Sequence, residues 1–179
     1  MKHAKYSSVL SILLLTSGTS AFSASAADGE FAAEAQKAIQ VLQTRDSTLT
    51  NLFASAAGYA VFPSVGKGGL FFGGERGKGI VYEEGEPIGE ATLTELNVGP
   101  QVGGQSFYEV IFFETTEALA SFKEGHFEVS AELSAVAIQK GAALNAKYRK
   151  GVILLALPRT GLMVQATCGG QKFKYKPLD

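Results

Sequence analysis

The chain has few of the residues that build metal centres and disulfide scaffolds. Its 179 residues include one cysteine, two histidines and no tryptophan. A single cysteine excludes an internal disulfide framework, and so few cysteines and histidines argue against a zinc site. No acidic stretch follows the calcium-loop pattern. We therefore expect no metal and no cofactor, and a fold held together by its hydrophobic core.

The sequence also lacks the usual motifs of hydrolases and nucleotide-binding proteins. It contains no Gly-x-Ser-x-Gly elbow, and Cys168 lies in an apolar run that is more typical of a buried small residue than of a nucleophile. Gly66-Lys67 and Gly77-Lys78 are each followed by glycine rather than by Ser or Thr, so neither is a phosphate loop. We expect that the protein is not an enzyme.

Long apolar runs are missing except for a short one near the N-terminus. Val9 to Leu15 follow a basic start, and Ala24-Ser25-Ala26 matches a signal-peptidase site. This pattern predicts a signal peptide at residues 1–26 and a single domain at residues 27–179. The apolar run is too short to span a membrane. We expect an exported protein, periplasmic or secreted, that can associate peripherally with a membrane.

The formal net charge of −1 hides an asymmetry along the chain. Residues 27–139 carry six Lys and Arg against sixteen Asp and Glu, whereas residues 140–179 carry eight against one. Such asymmetry favours a one-signed surface that meets an anionic partner, unless the two halves interleave in space and cancel. The negative total for residues 27–179 and the export signal argue against nucleic acid as that partner.

Hydrophobic periodicity predicts helices on both sides of a block of strands. A helical stripe, which we expect on the domain's core rather than at a membrane surface, is followed by a short helix capped by Asp46 or Ser47. Thr115 begins another short helix, and residues 141–149 form a further helix or a loop. The stripe consists of Phe31, Ala35, Ala38, Ile39 and Leu42. The candidate strands are 59–62, 68–75, 78–84, 88–98, 102–113, 127–139, 151–157, 161–168 and 171–176.

These elements indicate an α+β fold in a single domain. The core would be a curved, mostly antiparallel β-sheet, or a barrel-like form of it, with the N-terminal helices and one or two short helices packed on it. Tight reversals are predicted at Glu84 to Pro87, Pro158 to Gly161 and Gly169-Gly170. Glycines between aromatic residues at 58–82 mark bends or places where another chain segment approaches closely.

Basic residues lie between and after these glycines. Lys67, Arg76 and Lys78 are flanked by glycine or lie next to it, Lys147, Arg149 and Lys150 form a second cluster, and Lys172, Lys174 and Lys176 alternate along one strand. Alternate residues of a strand share one face. Each basic side chain near an anionic membrane contributes on the order of 1 kcal/mol, so several together would give useful affinity.

The same segments resemble the SYLF domain, a lipid-binding family found in bacterial exported proteins and in eukaryotic endocytic and cytoskeletal proteins. The resemblance covers most of residues 27–179. Its motifs are Gly58-Tyr59-Ala60-Val61-Phe62-Pro63, Lys67-Gly68-Gly69, Gly73-Gly74, Gly77-Lys78-Gly79, Gly99-Pro100-Gln101-Val102-Gly103-Gly104-Gln105 and Ser130-Ala131-Glu132-Leu133-Ser134.

This resemblance implies binding of anionic phospholipids by basic residues. Some eukaryotic relatives also bind actin, which we do not expect of an exported protein. The sequence therefore predicts a non-enzymatic domain that binds anionic phospholipid head groups at a membrane surface. The candidate lipid-binding residues are Lys67, Arg76, Lys78, Lys147, Arg149 and Lys150.

Two other functions fit the same sequence. Many short strands could offer a sheet edge or an aromatic patch to a protein partner in the envelope. A barrel-like core could carry a small apolar ligand near Phe71, Phe72, Phe112 and Phe113, although such aromatic residues more often form plain core.

Overall fold

The protein folds as helices packed on both faces of one β-sheet. The structure, a computed structural model, describes residues 20–68, 72–98, 105–125, 128–129, 136–160 and 171–178. The fold is α+β in a single domain, as expected. The elements are α1 (Ser20–Arg45), α2 (Leu49–Ser55), β1 (Gly58–Gly68), β2 (Phe72–Glu83), β3 (Glu86–Val98), β4 (Gln105–Phe113), α3 (Thr116–Lys123), β5 (Glu128–Val129), β6 (Val136–Ala137), α4 (Ala142–Asn145), β7 (Val152–Thr160) and β8 (Gln171–Pro177).

The sheet has the strand order β5-β8-β3-β2-β1-β4-β7-β6. The long strands pair antiparallel with their neighbours, and the two-residue β6 pairs parallel with β7. Within the described residues β5 and β6 are the two ends of the sheet, so the sheet is not closed into a barrel. Of the two expected forms, the curved sheet is the one found.

The sheet is bent so strongly that side chains from distant strands meet on its concave face. Strands β8 and β4 are separated by β3, β2 and β1, which in a flat sheet would hold them about 19 Å apart. Even so, Gln171 Nε2 donates to Glu109 Oε2 at 3.3 Å, and the rings of Phe62 and Phe173 have centroids 5.8 Å apart. The sheet is therefore curved so strongly that side chains of its concave face pack against one another across several strands.

Helix α3 fills this concave face. Its buried residues Leu119 and Phe122 join a core cluster formed by residues of β1 to β4, β7 and β8. The Phe122 ring lies between those of Phe113 and Phe173, with centroid distances of 5.0 and 5.3 Å. Thr115 caps the helix by accepting a hydrogen bond from the Ala118 N–H at 3.2 Å, which confirms the predicted start.

The convex face carries the other helices. The stripe predicted on α1 lies on the core, because Ala35, Ala38, Ile39 and Leu42 are buried there and Phe31 is partly buried against them. They contact the outward-facing residues of β1, β2, β4 and β7. Gln36 of α1 donates a hydrogen bond to the Tyr82 hydroxyl at 3.4 Å. Burial and the neighbouring Tyr59 raise the pKa of Tyr82 to about 12.

Asp46 lies in the loop between α1 and α2 and links this loop to helix α4. Its carboxylate is 1% exposed and accepts hydrogen bonds from the N–H and hydroxyl of Thr48 at 3.1 and 2.6 Å, and from the Ala143 N–H at 3.0 Å. Burial alone would raise the pKa of Asp46, but these hydrogen bonds outweigh it, so its pKa lies below the ordinary value.

The strand predictions are partly corrected. Residues 72–83, which the sequence divides between two predicted strands, 68–75 and 78–84, form one continuous strand, β2, while Gly68 ends β1. Strand β7 extends through Thr160, where the sequence predicts a tight reversal. Of the predicted strand 127–139 only β5 and β6 are found in its described residues. The turn at Glu84 and Gly85 is confirmed, with φ of 53° and 86°. The predicted strand 161–168 and the turn at Gly169-Gly170 lie outside the described residues.

Two other sequence predictions fall partly outside the described residues. Residues 1–19 of the predicted signal peptide are not described, and its predicted cleavage segment Ala24-Ser25-Ala26 lies within the first turns of α1. Cys168 and the glycine-rich segment 99–104 also lie outside the described residues.

Candidate functional site

Arg76 and Lys78 lie on the convex face of β2, beyond the area that α1 covers. In β2 the buried Ile80 and Tyr82 contact the helices on the convex face, and strand alternation places Lys78 and Arg76 on the same side. Both basic residues are exposed. Their neighbours on β1 are Ser64 and Gly66.

Strand β8 brings three lysines to the same face. Lys174 is in register with Thr92 of β3, which is in register with Lys78. Lys172 is related in the same way to Arg76 through Thr94. Because residues in register on adjacent strands point to the same face, the basic side chains of β2 and β8 flank the threonines of β3.

These cations form one surface, which we call the basic band. Lys172, Lys174 and Lys176 are exposed, while Gln171 before them and Phe173 between them are buried, as alternation predicts. Two acidic residues are in register with these cations, because Glu90 of β3 pairs with Lys176 and Glu128 of β5 pairs with Lys172. The basic band consists of Arg76, Lys78, Lys172, Lys174 and Lys176.

The predicted cluster at Lys147, Arg149 and Lys150 lies at the other end of the sheet. Arg149 exchanges backbone hydrogen bonds with Val152, which begins β7 beside Phe113 of β4. Arg76 instead is level with Gly66 and Ser106, near the opposite end of β7. At about 3.3 Å per residue, the two basic groups are separated by roughly 20–25 Å along the strands.

The structure does not bring the two groups of predicted site residues together. Arg76 and Lys78 lie together, and Lys147, Arg149 and Lys150 lie together elsewhere, near the exposed Leu144 of α4. Lys67 lies at the end of β1, where only its backbone is described. The β8 lysines were not among the candidate site residues, although their alternation had predicted a shared face.

Another cation lies on the convex face at the far side of the sheet. The guanidinium of Arg159 lies 4.9 Å from the centre of the Tyr108 ring, and its Nη1 donates to the Pro63 carbonyl at 2.9 Å. Tyr108 is in register with Leu157 of β7. This arrangement fixes the Arg159 side chain over an aromatic surface.

The predicted apolar-ligand residues are core residues where they are described. Phe112 is buried on the convex side and Phe113 on the concave side, so the two do not line one cavity. Phe71 lies outside the described residues, and only the backbone of Phe72 is described.

The described residues offer neither a cluster of metal ligands nor a membrane-spanning helix. No group of three or more His, Cys, Asp or Glu is close enough to hold a metal ion in this part of the chain. None of the described helices combines the length and the apolar character needed to cross a membrane.

Comparison with known proteins gives a distant relative. No family model matches the chain. The chain is 30% identical over 125 residues to Beta cell expansion factor A from Aeromonas veronii. This match covers 68% of the chain and 47% of that protein. The chain therefore spans about half the length of this curated relative. The name of that protein specifies neither a ligand nor a reaction.

Proposed function

We propose that this protein is an exported, non-enzymatic domain whose basic band binds anionic phospholipid head groups at a membrane surface. The observation that carries the proposal is the register that gathers Arg76, Lys78 and the three β8 lysines on one exposed face. The resemblance to the SYLF family supports the same function, and we propose membership of that family.

The electrostatics of the basic band support this assignment. A lysine or arginine near an anionic bilayer contributes about 1 kcal/mol, and the contributions add when the cations meet the surface together. The long strands hold the backbones of these residues in fixed relative positions. Thr92 and Thr94 between them add hydroxyl groups that can donate to phosphate oxygens.

Vesicle co-sedimentation tests the proposal. The protein should bind vesicles that contain phosphatidylglycerol or cardiolipin, and should not bind pure phosphatidylcholine. The double variant Lys78→Glu, Lys174→Glu should bind anionic vesicles about 30-fold more weakly or worse, since it removes two contributions of about 1 kcal/mol and adds repulsion. Salt should weaken binding, because the Debye length falls from about 10 Å at 0.1 M to about 3 Å at 1 M.

The matched control reverses two exposed cations at the opposite end of the sheet. The variant Lys147→Glu, Arg149→Glu has the same change in net charge and should bind anionic vesicles within a few-fold of the wild type. Equal binding to neutral and anionic vesicles, or an equal loss in both double variants, would contradict the assignment to the basic band.

A further inference from the structure

A groove on the convex face lies between α1 and β7, away from the basic band. Its volume is about 540 Å³, which is within the range of small-molecule sites of about 300–1,000 Å³. The described residues that line it are Lys37, Gln40, Val41, Thr44, Arg45 and Leu157.

One face of α1 forms a wall of this groove. Lys37, Val41, Thr44 and Arg45 are spaced at i, i+4, i+7 and i+8, so they share a stripe next to the buried one. Val41 is only partly buried, and the Thr44 hydroxyl donates back to the Gln40 carbonyl at 2.7 Å. The wall is therefore apolar in the middle with a cation on each side, Lys37 and Arg45 being about 12 Å apart along the helix.

The floor of the groove is also apolar, and another cation lies beyond it. Leu157 is partly buried and is in register with Tyr108, over which Arg159 lies. Tyr108 and Leu157 both pack at the edge of the convex core. The groove thus offers hydrocarbon surface bordered by positive charge.

Two other concavities in the described residues contain carboxylates. The one beside Phe53 and Tyr59 is lined by Glu83 and Glu84. The one between α3 and β8 has Glu124 among its three lysines, Lys123, Lys172 and Lys174. The described lining of the α1–β7 groove contains no carboxylate. Charge complementarity therefore favours an anionic ligand with an apolar body.

We propose that the α1–β7 groove binds a single-chain fatty acid, with the hydrocarbon chain against Val41 and Leu157 and the carboxylate beside Lys37 or Arg45. A carboxylate attracts either cation, and burial of the chain provides the remaining affinity. This site is separate from the basic band and does not depend on head-group binding.

Displacement of a dansyl-labelled fatty acid tests this site in the wild-type protein. Laurate, below its micelle concentration, should displace the probe saturably, and dodecanol should be about tenfold weaker because it lacks the charge. Affinity should rise about fourfold for each added methylene until the groove is filled. A chain-length series of fatty acids from caprylate upward measures this dependence.

Variants locate the ligand. Reversing both exposed cations, Lys37→Glu with Arg45→Glu, should weaken laurate about tenfold or more and leave dodecanol unchanged. Val41→Trp should weaken both ligands because the larger ring fills the groove. The variant Lys78→Glu, Lys174→Glu should bind laurate like the wild type, which separates this site from vesicle binding.

Three outcomes would overturn the proposal. They are an absence of saturable displacement, equal affinity for laurate and dodecanol, and unchanged laurate binding in the Lys37/Arg45 variant. Circular dichroism confirms that each variant is folded. If Val41→Trp does not fold, the Lys37/Arg45 variant decides the matter, because those side chains are exposed.

Discussion

Several glycines of the sheet lie where a side chain would collide with a neighbour. A Cβ on Gly79 would lie 2.7 Å from Cδ1 of the buried Phe62 ring and 2.8 Å from the Val61 carbonyl oxygen. A Cβ on Gly89 would overlap the Tyr175 ring. These residues are glycines because the bent sheet brings aromatic rings onto the backbone. The sequence predicts such close approaches at 58–82, which includes Gly79 but not Gly89.

Replacing Gly79 by alanine should destabilise the fold. We expect a loss of about 1–3 kcal/mol in the free energy of unfolding, because neither the Val61 backbone nor the buried Phe62 ring can move away freely. Urea unfolding measures this change. The matched control is Gly66→Ala, where a Cβ would have no atom within 4 Å, and it should be neutral or slightly stabilising.

Asp46 makes the stability of the convex side depend on pH. Because its pKa in the folded state is below the ordinary 3.8, the ionised carboxylate stabilises the fold above that pH. This contribution is lost as the pH falls from 3.8 through the lower folded-state pKa.

The variant Asp46→Asn should lose about 1–3 kcal/mol of stability at neutral pH, since one buried N–H donor then faces an amide donor. The difference from the wild type should shrink as the pH falls below 3.8. Urea unfolding across this range measures the effect. Ser47→Ala, an exposed change in the same loop, should show no such trend, and an unchanged pH profile in Asp46→Asn would contradict the role of the carboxylate.

Among the elements, α3 depends most clearly on the curvature of the sheet. Phe122 is fully buried between rings contributed by β4 and β8. Those strands lie far apart in the strand order, so α3 holds the two sides of the bend together. Its start at Thr115 could be predicted from the cap, whereas its position inside the bend could not, because capping is local and the bend is not.

Truncating Phe122 to alanine should destabilise the protein by about 3–5 kcal/mol. Lys123→Ala on the same helix is the control. It removes an ion pair with Glu83 at 3.3 Å between side chains that are about one-third exposed, so it should cost less than about 1 kcal/mol. Thermal or urea unfolding compares the two, and similar losses would argue against α3 as the brace of the concave face.

At the scale of the whole molecule, the two charge-asymmetric halves of the sequence meet in the basic band. Arg76 and Lys78 belong to the acidic half, while the β8 lysines belong to the basic half. β3 separates them with the uncharged Thr92 and Thr94, while the acidic residues Glu90 and Glu128 are in register with Lys176 and Lys172. The two halves of the sequence therefore interleave in space, and cations from both halves lie together on this surface.

The separation of the two basic ends gives the vesicle experiment its discriminating power. The two groups lie roughly 20–25 Å apart along the strands, so each pair of charge reversals alters one group and leaves the other unchanged. The proposal assigns head-group binding to the basic band. Leu144, which is 73% exposed next to the Lys147 cluster, makes the other end the natural rival, so a greater loss in the Lys147/Arg149 variant would reverse the orientation.

The sequence by itself determined the features that arise from local chemistry. The helical stripe, the Thr115 cap, the Glu84-Gly85 turn and the alternation of the β8 lysines all depend on a few neighbouring residues. The predicted boundaries of strands were wrong where the sequence pattern was ambiguous. The sequence predicts a turn at Pro158, but this residue lies in β7. It lies at a shift of register with β4, where the hydrogen-bond ladder is already irregular.

Only the tertiary structure decided which distant residues share a surface. Strand order and register placed β8 beside β3, and so joined Lys174 to Lys78 while separating both from Lys147. The curvature that brings Gln171 to Glu109, and the packing of α1 that leaves a groove beside Leu157, were likewise undetermined by the sequence. The physical reason is that local patterns specify which face a residue occupies, whereas the pairing of whole strands specifies its neighbours.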